Sequence, residues 1–267
     1  MNMNIEDIKI IPQWDKSKDE IWNEVFDDYC VENKHDTKHR AKIVRLTFLK
    51  YAAAAVVAMM IAGGSFAYFS EVAHTTLRGA YLSLSLPDGS TVMLNVDSEL
   101  KYKPLLWFAS KTVELNGEAY FEVKSGGRFT VKSGKNKVMV LGTSFNVFAR
   151  NEKYSVTCMT GKVMVTADNR QTTLTPNMQV TLRNGNFNVA EIADTEQHIG
   201  WRQNRFVFNG APLTEVIKEI ERQYDIQISN VLDFDYSYTG NFSKTENPED
   251  ALEIIGKPFG ITFLIKK

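Results

Sequence analysis

Few residues in this 267-residue chain have the types and spacing that catalysis or metal binding requires. His35 and His39 stand four residues apart, which would place two imidazoles on one helix face, but no third ligand lies near them. Glu118 and Glu122 fall in strand-and-turn sequence rather than in a paired-carboxylate site. The sequence contains no nucleophile elbow and no phosphate-binding loop. We therefore expect no enzyme, and no catalytic, metal or cofactor-binding residue.

A second set of residues has the spacing of a partner-binding helix. Ser17 and Glu20 form the pattern of a capping box, in which their side chains accept hydrogen bonds from amides of the first helical turn. Behind it one helix face is apolar, and its residues are Ile21, Trp22, Val25, Phe26 and Tyr29. A lone helix of about 14 residues is marginally stable in water. This aromatic face therefore needs a second surface, for which a protein partner is favoured over self-association or an ill-ordered tail.

The charges of the chain are segregated along its length. The formal net charge is −1, yet residues 1–32 carry nine acidic and three basic residues. Residues 33–50 carry six basic residues and one acidic residue, and residues 51–69 carry no charge. The near-zero net charge argues against direct nucleic-acid binding. The segregation indicates that the chain is divided between compartments.

The uncharged stretch 51–69, YAAAAVVAMMIAGGSFAYF, is long enough to cross a membrane as one helix. Basic residues precede it, so the positive-inside rule places residues 1–50 in the cytoplasm and 70–267 outside it. A buried core helix and a cleaved signal peptide are the alternatives, and the 50 preceding residues favour a signal anchor. Cys30 and Cys158 would then lie on opposite sides of the membrane and could not pair.

Gly63 and Gly64 stand in the outer half of this predicted span. Because glycine lowers helix stability, the pair is a candidate region for cleavage by an intramembrane protease. Close packing against another helix is an equal alternative.

Residues 80–192 predict an all-β domain, joined to the span by a linker at 70–79. Its short alternating runs are YLSLSL, STVMLNV, KTVEL, EAYFEV, RFTV, KVMV, SFNVFA, YSVTCMT, KVMVTA, MQVTL and NFNVA. Turn signals separate them, including Pro87-Asp88-Gly89 and Asn116-Gly117. This spacing is typical of a sandwich, a barrel or a solenoid, and the regular recurrence favours solenoid-like layers over a sandwich.

Residues 193–267 predict a small α+β domain built from an internal duplication. A strand–helix–strand pattern over 205–230 is repeated over 238–265. At an offset of 35 residues Val216 matches Ala251, and Ile220 matches Ile255. Two βαβ units with their helices over a short sheet would account for this repeat.

Taken together, these segments resemble the FecR family of transmembrane anti-sigma factors. The stretches that carry the resemblance are LPDGS (86–90), LNGEAYFEV (115–123), VLGTSFNV (140–147), MTGKV (159–163) and LTP (174–176). The repeat after Trp201 is similar to the secretin and TonB short N-terminal (STN) domain. The resemblance implies a single-pass protein of the inner membrane, with its N-terminus in the cytoplasm and its C-terminus in the periplasm.

The resemblance also implies two protein partners. The cytoplasmic part would bind an extracytoplasmic-function (ECF) sigma factor, and the periplasmic part would receive a signal from the N-terminal domain of a TonB-dependent outer-membrane transporter. The cytoplasmic segment departs from the family pattern, because it has about 50 residues and one convincing helix where members usually have several. The alternative from another class is a membrane-anchored periplasmic module that binds or scaffolds glycans or envelope polymers, for instance through Trp107 and Phe108.

Overall fold

The structure is a computed structural model that describes residues 15–24, 46–167, 169–183, 185–193, 195–229 and 235–266. Contacts divide the chain into two units, Met1–Met59 and Met60–Lys267. In the first unit, residues 18–24 are helical and form helix α1. The Ser17 amide donates to the Glu20 carboxylate at 2.8 Å, and the Glu20 amide donates to Ser17 Oγ at 3.3 Å. The predicted capping box is therefore confirmed.

Helix α2 runs over Leu46–Phe69 and contains the uncharged stretch. Within it, Tyr51–Phe69 has a mean hydropathy of 1.8, and its most apolar part is not buried against the rest of the chain. By length and composition this helix is suited to cross a membrane. Exposure of so much apolar surface to water would be unfavourable, which disfavours the alternative of a buried core helix.

Thirteen strands form one sheet that curls around a shared core. They are β1 (Val72–Thr76), β2 (Leu82–Ser85), β3 (Thr91–Leu94), β4 (Ser98–Tyr102), β5 (Lys111–Glu122), β6 (Phe129–Ser133), β7 (Asn136–Val140), β8 (Ser144–Arg150), β9 (Lys153–Cys158), β10 (Val163–Ala167), β11 (Arg170–Leu174), β12 (Met178–Arg183) and β13 (Asn186–Glu191). Of these, β1, β4 and β11 were not predicted as strands, and β1 lies within the predicted linker. Their polar sequences, such as VAHTT in β1, hide the alternation on which the prediction relied.

Strand β5 joins the two halves of the curled sheet. Its first half pairs with β4 and β6, and its second half pairs with β3 and β8. The change occurs at Gly117, whose φ is +116° and where an added Cβ would meet Ser98 Cα at 2.7 Å. The prediction of a turn at Asn116-Gly117 is therefore wrong. Glycine permits the positive φ, which here bends a continuous strand instead of ending it.

The core of this domain lies between the two halves of the sheet. Buried apolar residues of β3, β8 and β9 contact those of β6, β7 and β10 in one cluster that includes Val92, Phe145, Phe129 and Val163. Apart from the parallel β5–β6 pair, the strand pairs described in this domain are antiparallel. The arrangement is sandwich-like, and the preference for solenoid-like layers is wrong because solenoid layers repeat parallel pairings around one axis.

The C-terminal domain begins with a 3-10 segment, Thr195–Gln203, followed by β14 (Arg205–Pro212), helix α3 (Leu213–Tyr224), β15 (Ser237–Ser243) and helix α4 (Pro248–Gly256). Strands β14 and β15 pair with each other in antiparallel fashion. The strands predicted to close the two repeats are reduced to one antiparallel bridge, Ile228 with Ile265. The pairings thus run between the repeats rather than within βαβ units. Equivalent residues of α3 and α4 still share one core, as the repeat requires.

Candidate functional site

The residues predicted to bind a partner or to be cleaved lie in separate parts of the chain. Ile21 is half-buried and Trp22 is 62% exposed in α1. The other three members of the predicted face, Val25, Phe26 and Tyr29, lie outside the described residues. Gly63 and Gly64 are helical in α2, and a Cβ at either would have no neighbour within 4 Å. Space for larger side chains there permits a direct test of the cleavage hypothesis.

The described residues contain no group of three or more His, Cys, Asp or Glu side chains that could hold a metal ion. Cys158 is fully buried in β9, and burial raises the pKa of its thiol to about 11. A thiol that is buried and protonated is a poor nucleophile. Cys158 therefore serves as a small apolar core residue.

The structure reveals a cleft between the β domain and the C-terminal domain, lined by both polar and apolar side chains, that the sequence did not predict. Its volume is about 450 Å³. Polar side chains that line it come from the residue before β2, the segment after β3, β5 just beyond the Gly117 bend, β8 and α3, and Asn146 of β8 contacts one of them, Glu118. We call the following residues the junction cluster: Tyr81, Asn95, Glu118, Asn146, Glu219 and Gln223.

Glu118 is the buried centre of the junction cluster. It is 7% exposed and accepts hydrogen bonds from Asn95 Nδ2 at 2.7 Å and Asn146 Nδ2 at 2.9 Å. Burial raises the pKa of its carboxyl, and the nearby Glu219 carboxylate raises it further. The two amide hydrogen bonds and the charge of Arg150 oppose this rise. The protein thus holds a carboxyl group in a site that penalises its charged form.

Gln223 joins the two domains within this cluster. Its side-chain amide donates to Asn95 Oδ1 at 3.1 Å and to Glu219 Oε1 at 2.9 Å, and its carbonyl oxygen accepts from the Tyr81 hydroxyl. Burial and the Glu219 charge raise the pKa of Tyr81 to about 12, so that its hydroxyl stays a donor. Hydrogen bonds therefore run without interruption from Glu118 through Asn95 to helix α3.

Arg150 fixes the backbone on the β-domain side of the cleft. Its guanidinium donates to Asp97 O at 2.7 Å and to Ser98 Oγ at 3.0 Å. Burial lowers its pKa, but arginine stays charged in proteins, and the Glu118 and Asp97 carboxylates favour that charge. Arg150 therefore holds the start of β4, which contacts the bend at Gly117. Gly117 directly precedes Glu118 in the chain.

An apolar contact borders the junction cluster. Tyr120 of β5 packs with Ile199 and Trp201 of the 3-10 segment, and the Trp201 ring stacks on Tyr81 at 6.0 Å between centroids. The Arg202 guanidinium lies 3.6 Å from the centroid of the Tyr120 ring. Such contacts stabilise an interface without producing a reactive group.

Periodicity could have revealed one of these residues. Gln223 falls three residues after Ile220 and seven after Val216, so it lies on the apolar face of α3 and is 2% exposed. A polar residue on such a face indicates a buried hydrogen bond. Nothing in the local sequence identifies Asn95 as its partner.

Buried hydrogen bonds and an apolar contact couple the β domain to the C-terminal domain. Residues 72–164 match the family model described as FecR protein, and residues 205–267 match the model described as FecR, C-terminal. The chain belongs to the FecR family.

Two crystal structures of a candidate anti-sigma factor from Parabacteroides distasonis ATCC 8503 are similar to this chain. One is 30% identical, covers 74% of this chain and 99% of its own, and has a TM-score of 0.67. The other is 29% identical, covers 73% of this chain and 99% of its own, and has a TM-score of 0.66. None of the curated proteins matches the chain significantly. The family and these structures support an anti-sigma factor role.

Proposed function

We propose that the chain is a single-pass anti-sigma factor of the inner membrane, which relays a signal from a TonB-dependent outer-membrane transporter to a cytoplasmic ECF sigma factor. The observation that carries the proposal is membership of the FecR family combined with an apolar helix, Tyr51–Phe69, between the aromatic N-terminal segment and the β domain. Basic residues before this helix support a cytoplasmic N-terminus. The chain acts through protein contacts, without a cofactor and without direct contact to nucleic acid.

The cytoplasmic contact is assigned to the apolar face of Ile21, Trp22, Val25, Phe26 and Tyr29. Trp22 is 62% exposed and is the largest aromatic side chain of this face. We expect this face to enter a groove of the sigma factor as an amphipathic helix. Aromatic anchors of that kind often contribute about 2 kcal/mol or more each.

Pull-down of an ECF sigma factor with the full chain tests the contact. The double variant W22A/F26A should weaken binding roughly 1000-fold, since the loss of two anchors of about 2 kcal/mol each removes about 4 kcal/mol. The control is E24A, which removes an exposed carboxylate whose ion pair with Lys16 measures 2.7 Å and leaves the apolar face intact. Equal binding by W22A/F26A and E24A would refute the assignment.

The periplasmic contact is assigned to the C-terminal domain, acting in the manner of an STN domain. Strands β14 and β15 pair only with each other in the described sheet, so each has an open edge that an incoming strand could pair with. The signalling domain of the transporter would add a strand there. Deletion of residues 201–267 should then abolish induction by the outer ligand, and unchanged induction would contradict this step.

Release of the cytoplasmic segment is assigned to intramembrane cleavage near Gly63 and Gly64. Substitution of Leu at both positions should stabilise the helix and slow release of the fragment. Leu at Ala53 and Ala54, in the same helix, is the matched control. Normal release from the Gly63/Gly64 variant would favour the alternative, in which the glycines pack against another helix.

The alternative function, a glycan- or polymer-binding module, loses one of the two aromatic residues on which it depended, Trp107. Trp107 is 1% exposed, and its ring contacts Tyr102 and Phe129 in the core. It is therefore inaccessible for stacking on a sugar. Only Phe108 of the pair is exposed.

A further inference from the structure

One end of the curled sheet lies directly after the apolar helix. Helix α2 ends at Phe69, and β1 begins at Val72, which pairs with Tyr102 at the end of β4. The Nζ atom of Lys103 lies 3.8 Å from the centroid of the Tyr68 ring. The loop that follows β4 therefore starts beside the last turn of the helix.

Strand register brings a second loop to the same end. Tyr102, at the end of β4, pairs with Val113 near the start of β5. Lys111, the first residue of β5, pairs with Phe129 in β6, and Phe129 pairs with Val140 at the end of β7. The segment that follows Val140 therefore begins at the same end as the loop 103–110. We call this end of the β domain the helix-proximal end.

Three large apolar side chains are exposed at the helix-proximal end. Leu105 is 54% exposed, Phe108 is 96% exposed and Leu141 is 68% exposed. Trp107, between the first two, is buried, with its ring centroid 5.5 Å from that of Tyr102. This anchor holds its loop against the core while Leu105 and Phe108 face outward. Exposed leucine and phenylalanine on two loops at one end indicate a contact surface.

Charges at this end are mainly basic. Lys103, Arg128 and Lys162 each adjoin the end of a strand there, and Glu71 is the acid that precedes β1. Lys111, on the same end, is neutralised by Asp88 at 3.2 Å. Basic residues beside exposed aromatic and aliphatic side chains are typical of surfaces that contact phospholipid headgroups.

We propose that Leu105, Phe108 and Leu141 insert into the outer leaflet of the membrane that α2 spans, and that the neighbouring basic residues bind its phosphate groups. This inference rests on the proposed function, because it requires α2 to be a membrane span. The helix ends three residues before β1, so the covalent connection holds this end close to the bilayer. The contact would orient the β domain and direct the C-terminal domain away from the membrane.

Quenching by brominated lipids tests the contact in the full chain, reconstituted into vesicles of phosphatidylglycerol and phosphatidylethanolamine. Single cysteines carrying an environment-sensitive fluorophore are introduced in a C30S background, because native Cys158 is fully buried. The test positions are F108C and L141C. The matched control is L77C, which is 77% exposed and follows the opposite end of β1. M60C, within α2, reports whether the helix is in the bilayer.

We expect quenching at positions 108 and 141 to be roughly threefold stronger than at position 77, because interfacial side chains lie about 5–10 Å into the bilayer boundary. Quenching at 60 with equal, weak quenching at 108, 141 and 77 would overturn this inference and leave the proposed span intact. Absence of quenching at 60 would overturn the span itself, and this inference with it. Replacing the basic residues by K103Q/R128Q should reduce quenching at 108, and an unchanged value would remove their assigned role.

Discussion

Substitution of Glu118 separates the role of its hydrogen bonds from that of its charge. In Glu118→Ala both acceptors of the carboxylate are lost, and the side-chain amides of Asn95 and Asn146 are left buried without partners. In Glu118→Gln one oxygen remains for Asn95. Asn146 can rotate its amide, because its Oδ1 atom is buried and has no other hydrogen bond. The Gln variant therefore keeps the number of hydrogen bonds at this position, reverses the direction of the one to Asn146, and removes the charge.

The expected magnitudes follow from this difference. A buried donor left without an acceptor costs about 1–3 kcal/mol, so Glu118→Ala should destabilise the protein by about 2–6 kcal/mol. Glu118→Gln should change the free energy of unfolding by about 1 kcal/mol or less, because two side-chain hydrogen bonds remain and the flip of Asn146 only exchanges a buried unpaired oxygen for a buried unpaired amino group. Arg150 keeps its backbone acceptors in both variants, including Asp97 O at 2.7 Å.

The pH dependence gives an independent check. The pKa of Glu118 in the folded protein is raised above its value in the unfolded chain. At a pH between these two pKa values, the folded state therefore binds more protons than the unfolded state. The stability of the wild type should therefore rise, relative to Glu118→Gln, as the pH falls through the raised pKa toward 4.5, the ordinary pKa of a glutamate carboxyl. Urea unfolding of the full chain in detergent, followed by fluorescence, measures both effects, since Trp107 and Trp201 are buried.

Two results would refute this reasoning. Equal destabilisation by Glu118→Ala and Glu118→Gln would show that the charge, through Arg150, matters more than the amide hydrogen bonds. A wild type that loses stability relative to Glu118→Gln on acidification would show that the pKa of Glu118 is lowered.

Three further predictions concern the bend, the buried thiol and the junction. In urea unfolding, Gly117→Ala should lower the free energy of unfolding by about 1–3 kcal/mol more than Gly127→Ala. Both glycines have positive φ, but only Gly117 has close neighbours. Equal losses in the two variants would contradict the packing argument. Cys158 should resist alkylation at pH 8 in the folded protein and react after unfolding, because its thiol pKa is about 11; mass spectrometry measures the label. Gln223→Ala should cost about 1–3 kcal/mol and speed proteolysis of the interdomain segment, whereas the exposed control Gln171→Ala should do neither.

Much of the architecture could be predicted from local patterns. The capping box at Ser17 and Glu20 forms as expected, since both residues lie within one turn. Most of the alternating runs in 80–192 are strands, because alternation reflects which side of a sheet faces the core. The prediction was wrong at Asn116-Gly117, where the same dipeptide suits a turn and a bend and only the neighbouring strands decide between them.

The candidate site could be predicted from the sequence only in part, because its contacts join residues that are far apart in the chain. Gln223 and Asn95 are 128 residues apart, and their hydrogen bond exists only because α3 packs on the end of β3. Trp107 and Phe108 are adjacent and chemically similar, yet one is 1% exposed and the other 96%. Which of two neighbouring aromatic residues is buried depends on where the core lies, and the core is assembled from distant strands.

Local sequence features alone predict the apolar helix, the segregated charges and the succession of strands and helices. Each of these arises from hydrophobicity, charge or periodicity within about ten to twenty residues. The sandwich-like pairing, the bend at Gly117, the cluster around Glu118 and the exposed end that follows the helix become visible only in the folded protein. Those features depend on which distant segments meet, because a buried polar group is stable only where a partner from elsewhere in the chain supplies its hydrogen bond.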